Sequence, residues 1–93
     1  MNLKNTDKWA DISDDKIAQD KVCFCCSSTE DLLVHHKKFR RDGGNNNNEN
    51  LVVLCRSCHS KIHILEAFYR NNYVMKPFER LALEVRKKLN RNI

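Results

Sequence analysis

No run of apolar residues in this 93-residue chain reaches membrane-spanning length, which takes about 20 residues. The opening stretch MNLKNTDKWADISDD lacks the apolar segment of a secretory signal. There is no internal repeat, proline occurs once, and the two glycines are adjacent. The expectation is a soluble, cytoplasmic protein with no membrane association. In that compartment cysteines are read as ligands before disulfides, and a count of five leaves at least one spare. A chain this short buries a modest core, so a metal, disulfides or a partner is expected to support it.

The formal net charge of +5 is unevenly spread. Residues 1–34 carry four Lys/Arg against seven Asp/Glu, and residues 35–93 carry thirteen against five. That asymmetry points the later two-thirds toward a polyanion, most simply nucleic acid. Basic solvated faces are common, so charge alone decides nothing.

Three segments are expected. Residues 1–21 form an extension, partly helical or mobile, with Leu3, Trp9, Ile12 and Ile17 as its large apolar anchors and Ser13 as a candidate cap for a helix ending near Asp20. Residues 22–72 form the core. There, Leu32–Lys37 and Leu51–Cys55 read as an antiparallel hairpin, joined by the exposed loop RRDGGNNNNEN. Helical spacing begins at Cys58, with Ile62, Leu65 and Tyr69 on one side, Ile64 and Phe68 close by, and an end at Asn71 or Asn72. Residues 73–93 hold a basic amphipathic helix that packs on the core. Pro77 sits in its first turn, its apolar stripe is Phe78, Leu81, Ala82, Val85 and Leu89, and its other face carries Arg80, Arg86, Lys87, Lys88 and Arg91. These charges read as a solvated face.

The chemistry concentrates in LCRSCHSKIH, residues 54–63, which holds Cys55, Cys58, His59 and His63. One ion cannot easily take all four. Neighbours on a helix diverge by about 100°, and the long spacer of a Cys2His2 finger is missing. Cys23 and Cys26 offer the cysteines a better match. Two C-x-x-C pairs separated by 28 residues can supply four thiolates to a closed structural Zn²⁺ site. A redox role for either pair lacks the surrounding βαβ pattern. Cys25 is the spare, although a Cys23/Cys25 pairing stays open.

His59 and His63, at i and i+4, share a helix face and suit one ion, but two ligands rarely suffice. His35 and His36 are the obvious further source. On a strand they point to opposite faces, so one can bind metal while the other stays free as a base.

The succession C-x-x-C, LLVHHK, DGG and ENLVVLC-x-x-CHSKIH resembles the HNH endonuclease family over roughly residues 22–66. The resemblance implies an α+β fold built on a small ββα-metal (His-Me finger) core, zinc-stabilised, with flanking helices at both termini. It implies His36 as general base, and His35, His59 and His63 as ligands of a catalytic divalent ion. Asn50 would brace the loop and position the strand that bears the base. Cys23, Cys26, Cys55 and Cys58 would hold the structural zinc. Two departures stand out: Ser27 follows the second cysteine where many relatives have glycine, and His35 is aspartate in many members. An imidazole-rich set suits Zn²⁺, Ni²⁺ or Mn²⁺ and an oxygen-rich one Mg²⁺, so the catalytic metal is open among these four.

The implied activity is metal-dependent hydrolysis of DNA phosphodiester bonds, leaving 5′-phosphate and 3′-hydroxyl ends. The expected substrate is double-stranded DNA, nicked one strand per site with low sequence specificity. A double-strand break would then need a homodimer, a larger phage or host complex, or two events. Lys37, Lys38, Arg40, Arg41, Arg56 and Lys61 flank the site and are the expected phosphate contacts. The alternatives are a non-catalytic zinc-dependent nucleic-acid-binding module, and a zinc-held protein-interaction module docking through its C-terminal helix.

Overall fold

Bulky and β-branched side chains favour pleated backbone, and they form the two strands at the centre of the molecule. The computed structural model describes residues 9–90; Leu3 and Arg91 of the expectations above lie outside them. Strand β1 (Leu32–His36) pairs antiparallel with β2 (Leu51–Cys55), His36 facing Leu51 and Leu32 facing Cys55. The first strand stops one residue short of the expected Lys37, whose N–H still donates to Asn50 O at 2.8 Å. The element order is α1 (Trp9–Asp20), β1, β2, α2 (Arg56–Asn71), α3 (Phe78–Asn90), an α+β arrangement around one hairpin.

All five residues of β2 are buried, as a continuous apolar run covered on both sides requires. Directly opposed residues in an antiparallel pair share a face. His35 therefore sits with Val52 and Leu54, which belong to the main apolar cluster with Ile62, Phe78, Leu81, Ala82 and Val85. His36 sits with Leu51 and Val53 on the other face, where Trp9 stacks on its ring at 4.8 Å between centroids. One step along a strand has sent two neighbouring histidines into different environments.

Helix α2 (Arg56–Asn71) follows β2 with no linker residue. It starts two residues before the expected Cys58 because Cys55 caps it, its sulfur accepting from the Cys58 N–H at 3.5 Å. Ile62 is fully buried and Leu65 and Tyr69 pack inward, whereas Ile64 and Phe68 face solvent rather than joining the core. Helix α3 (Phe78–Asn90) begins after Pro77 and buries Phe78, Leu81, Ala82 and Val85, the i, i+3, i+4, i+7 stripe. Leu89 packs partly against the same cluster. Lys76 Nζ and Tyr69 Oη both reach Glu84, at 3.2 and 2.8 Å, and clamp α2 to α3.

Helix α1 (Trp9–Asp20) packs against both strands. It opens before Ser13, which is inside the helix and not its cap; the hydroxyl donates back to Ala10 O at 3.1 Å. Lys16 is only 8 % exposed and reaches the loop, donating to Asn48 Oδ1 at 3.1 Å while paired with Asp20. That loop holds 3-10 turns at Arg40–Asp42 and Asn48–Asn50. Gly43 ends the first turn at φ 92°. A Cβ on Gly44 would fall 1.9 Å from Lys38 O, so a side chain is excluded there, whereas at Gly43 it is the positive φ that favours glycine.

Leu81 is 3 % exposed at the centre of the α3 stripe. Leu81→Ala is expected to cost about 2–5 kcal/mol, read from urea denaturation of the zinc-loaded protein.

Candidate active site and metal centres

The turn at 23–27 brings Cys23 and Cys26 under the junction between β2 and α2, where Cys55 and Cys58 lie. The four sulfurs all stand within 4.8 Å of one another, and Cys26 Sγ lies 3.6 Å from Cys55 Sγ. A tetrahedral Zn²⁺ with bonds of about 2.3 Å separates its sulfurs by about 3.8 Å. The donor set and spacing fit a structural, zinc-like ion. The pairing is Cys23/Cys26, and Cys25 is the spare, packed against the core instead.

The thiols themselves argue for a cation. Burial, then Cys55 and Cys23 beside it, pushes Cys58 far above the usual thiol range. Cys26 is also raised, again by burial first. Burial raises Cys23 too, but the backbone N–H groups of Cys55, Cys26 and Cys25 outweigh it and bring that thiol to about 7. A divalent cation among the sulfurs would remove the penalty that burial places on the Cys26 and Cys58 thiolates. Burial raises Cys25 to about 11, which suits an inert filler.

The turn closes at a strain. Ser27 has φ 65°, the left-handed region that favours glycine, while its N–H donates to Cys23 O at 2.9 Å. Arg86 of α3 braces the outer side, donating to Phe24 O and stacking 4.4 Å over the Phe24 ring. That arginine is exposed, as expected of a solvated face, and is at the same time engaged with the turn.

Cys58 and His59 diverge as helical neighbours must. Cys58 turns in to the sulfurs, and His59 joins His35 and His63, whose ligand nitrogens also lie within 4.8 Å of one another. His59 Nε2 and His63 Nε2 are 3.1 Å apart. The His35 ring is buried and lies 5.3 and 5.1 Å from the His59 and His63 rings. Burial first, then the His63 and His35 rings, holds His59 below the usual histidine range. A neutral imidazole with a free lone pair is the form that binds a metal. Three imidazole nitrogens so grouped could hold one ion and would leave coordination positions open for water or a substrate oxygen.

His36 stands apart from that cluster. Its Nε2 is 2.8 Å from Asn46 Oδ1, and the Trp9 ring covers one face. Asn50 Oδ1 accepts from Lys38 N at 2.9 Å, and its Nδ2 donates to Asn45 O at 2.8 Å and Lys38 O at 3.1 Å. One side chain thus ties the end of the loop to its start at Lys38 and to its middle at Asn45, the residue before Asn46.

Of the expected phosphate contacts, Lys38, Arg40 and Arg56 are exposed. Lys37 Nζ lies 3.8 Å from Glu79 Oε2, and Lys61 donates to Ser57 Oγ at 2.7 Å. The Arg41 side chain lies outside the described part. An open cleft of about 720 Å³ has both basic and acidic lining, with Lys37, Lys38, Arg70, Asp42 and Glu79, and is linked to the histidine cluster through Glu66. Sequence reading missed Glu66, Asn46 and Lys16. Glu66 was within reach, since 59, 63 and 66 share one helix face. Asn46 is one of four successive asparagines and carries no distinguishing signal.

Residues 23–64 match the family model described as HNH endonuclease. No curated protein and no solved structure matches the chain. No helix among the described residues is long and apolar enough to cross a membrane.

Two outcomes are expected. A His59→Ala/His63→Ala protein retains one tightly held zinc per chain by elemental analysis, because its four sulfurs are untouched. In chelator competition that zinc is held more weakly as pH falls, since raised thiols such as Cys26 and Cys58 must lose protons to bind it. Separately, Ser27→Gly relieves the positive φ and raises stability by about 1 kcal/mol in denaturant unfolding.

Proposed function

We propose that this chain, whose residues 23–64 belong to the HNH endonuclease family, is a metal-dependent endonuclease that hydrolyses DNA phosphodiester bonds with His36 as general base. The observation that carries the proposal is the sorting of two adjacent histidines. His35 meets His59 and His63, whereas His36 lies on the other face of the strand, with its Nε2 2.8 Å from Asn46 Oδ1.

The base follows from its hydrogen bond. When Nε2–H donates to Asn46 Oδ1, the lone pair is left on Nδ1, ready to take a proton from an attacking water. Trp9 limits rotation of the ring, and Asn50 keeps the loop closed so that Asn46 stays in reach. His35, His59 and His63 would hold the catalytic divalent ion, Mg²⁺, Mn²⁺, Ni²⁺ or Zn²⁺. A divalent ion in such a site stabilises charge developing on phosphate and leaving-group oxygens. Lys38, Arg40 and Arg56 supply phosphate contacts that carry no sequence information, so binding weakens steeply with salt. The products are 5′-phosphate and 3′-hydroxyl ends, with one strand nicked per site.

Supercoiled plasmid incubated with the protein and each of the four metals tests this. The expected result is metal-dependent nicking that falls by about 10²–10⁴-fold in His36→Ala. Equal nicking by the variant removes His36 from the chemistry. Plasmid binding without nicking under any metal favours a non-catalytic nucleic-acid-binding module.

A further inference from the structure

The proposed reaction leaves one buried carboxylate without a task. Glu66 lies three residues beyond His63 and seven beyond His59, spacings that return to one helix face. Its side chain is 11 % exposed, with Oε2 at 2.9 Å from His35 Nε2 and Oε1 at 3.1 Å from His63 Nδ1. Oε1 is fully buried and lies within ion-pair distance of that ring without accepting an aligned hydrogen bond. Burying a carboxylate is costly unless it is paired, and both of its oxygens are aimed at imidazoles of a single cluster.

We propose that Glu66 is the positioning residue of the histidine centre. The inference rests on reading His35, His59 and His63 as ligands of one divalent ion. On His63 the carboxylate takes the Nδ1 side, while Nε2 already faces His59 Nε2 at 3.1 Å. The negative charge of Oε1, 3.1 Å from Nδ1, favours a proton on that nitrogen and leaves the Nε2 lone pair toward the ion. On His35 the carboxylate accepts from Nε2–H and leaves Nδ1 unprotonated. One side chain thereby selects the tautomers of two ligands and fixes their rings before any ion arrives. Such outer carboxylates raise ligand basicity, and their loss commonly weakens metal binding.

The test uses the zinc-loaded full chain and Co²⁺ as the probe ion, with Glu66→Leu, Glu66→Gln and His59→Ala/His63→Ala variants. Calorimetry is expected to show a Co²⁺ site in the wild type that the double histidine variant loses. That site should weaken by about 10–100-fold in Glu66→Leu, with partial recovery in Glu66→Gln, which keeps one accepting oxygen. Nitrogen-15 NMR of histidine-labelled, Co²⁺-free protein at mildly alkaline pH gives an independent reading. It should place the His63 proton on Nδ1 in the wild type and shift it toward Nε2 in Glu66→Leu. Zinc content checks that the variants fold. Unchanged Co²⁺ affinity with an unchanged tautomer overturns the role of Glu66. A Co²⁺ absorption spectrum that changes coordination geometry in Glu66→Gln also overturns it, because Glu66 is then itself a ligand. If the wild type lacks a histidine-dependent Co²⁺ site, the metal reading of the three histidines fails, while the tautomer measurement still judges the carboxylate.

Discussion

Four thiols packed within 4.8 Å of one another cannot all carry charge unless a cation sits among them. The rest of the chain is arranged around that constraint. The sulfurs come from a turn before the hairpin and from the junction after it, so one ion would close a loop around the hairpin. The apolar cluster takes in Cys23, Cys55 and Cys58 themselves, making the knot part of the core. Arg86 from α3 and the Phe24 ring complete its outer wall. A small domain gains in this way a fixed point that its limited apolar burial could not supply alone.

The second organising fact is the two-residue period of a strand. Cross-strand pairing fixes His35 opposite Val52 and His36 opposite Leu51, so the two imidazoles cannot share one environment. What each then meets is set by different elements. Helix α2 brings His59, His63 and Glu66 to one side, and the asparagine loop with α1 brings Asn46 and Trp9 to the other. The proposed base and the proposed ligands are thus separated by backbone geometry, with no need for a long-range partner to discriminate between them.

Much of this was legible because the informative spacings are short. C-x-x-C pairs, an i, i+4 histidine pair and adjacent histidines on an alternating run each define a direction for their side chains. Pro77 and the stripe Phe78, Leu81, Ala82 and Val85 gave α3 by the same logic. The failures have equally local causes. Cys55 acts as a helix cap through its sulfur, a function its role as a ligand conceals, so α2 starts earlier than its apolar period. Ser13 looks like a cap but lies inside α1, where the helix opens at Trp9 instead. Ile64 and Phe68 have the right character for a core and the wrong azimuth on α2. Lys16 and Asn46 depend on contacts across 32 and 10 positions of chain, which no local pattern encodes, whereas Glu66 shares a helix face with His59 and His63 and was within reach.

The absence of a linker between β2 and α2 has a mechanical consequence. Cys58 and His59 are successive residues of one rigid helix, so the sulfur knot acts as the bearing on which the histidine face turns. With side chains extending about 6 Å from a helix axis, a rotation of 10° carries a ring nitrogen through roughly 1 Å. Ligand constellations tolerate about half that displacement before their geometry degrades. An ion held by the four sulfurs would therefore also set the aim of the histidines, and the tolerance of one cluster would be inherited by the other.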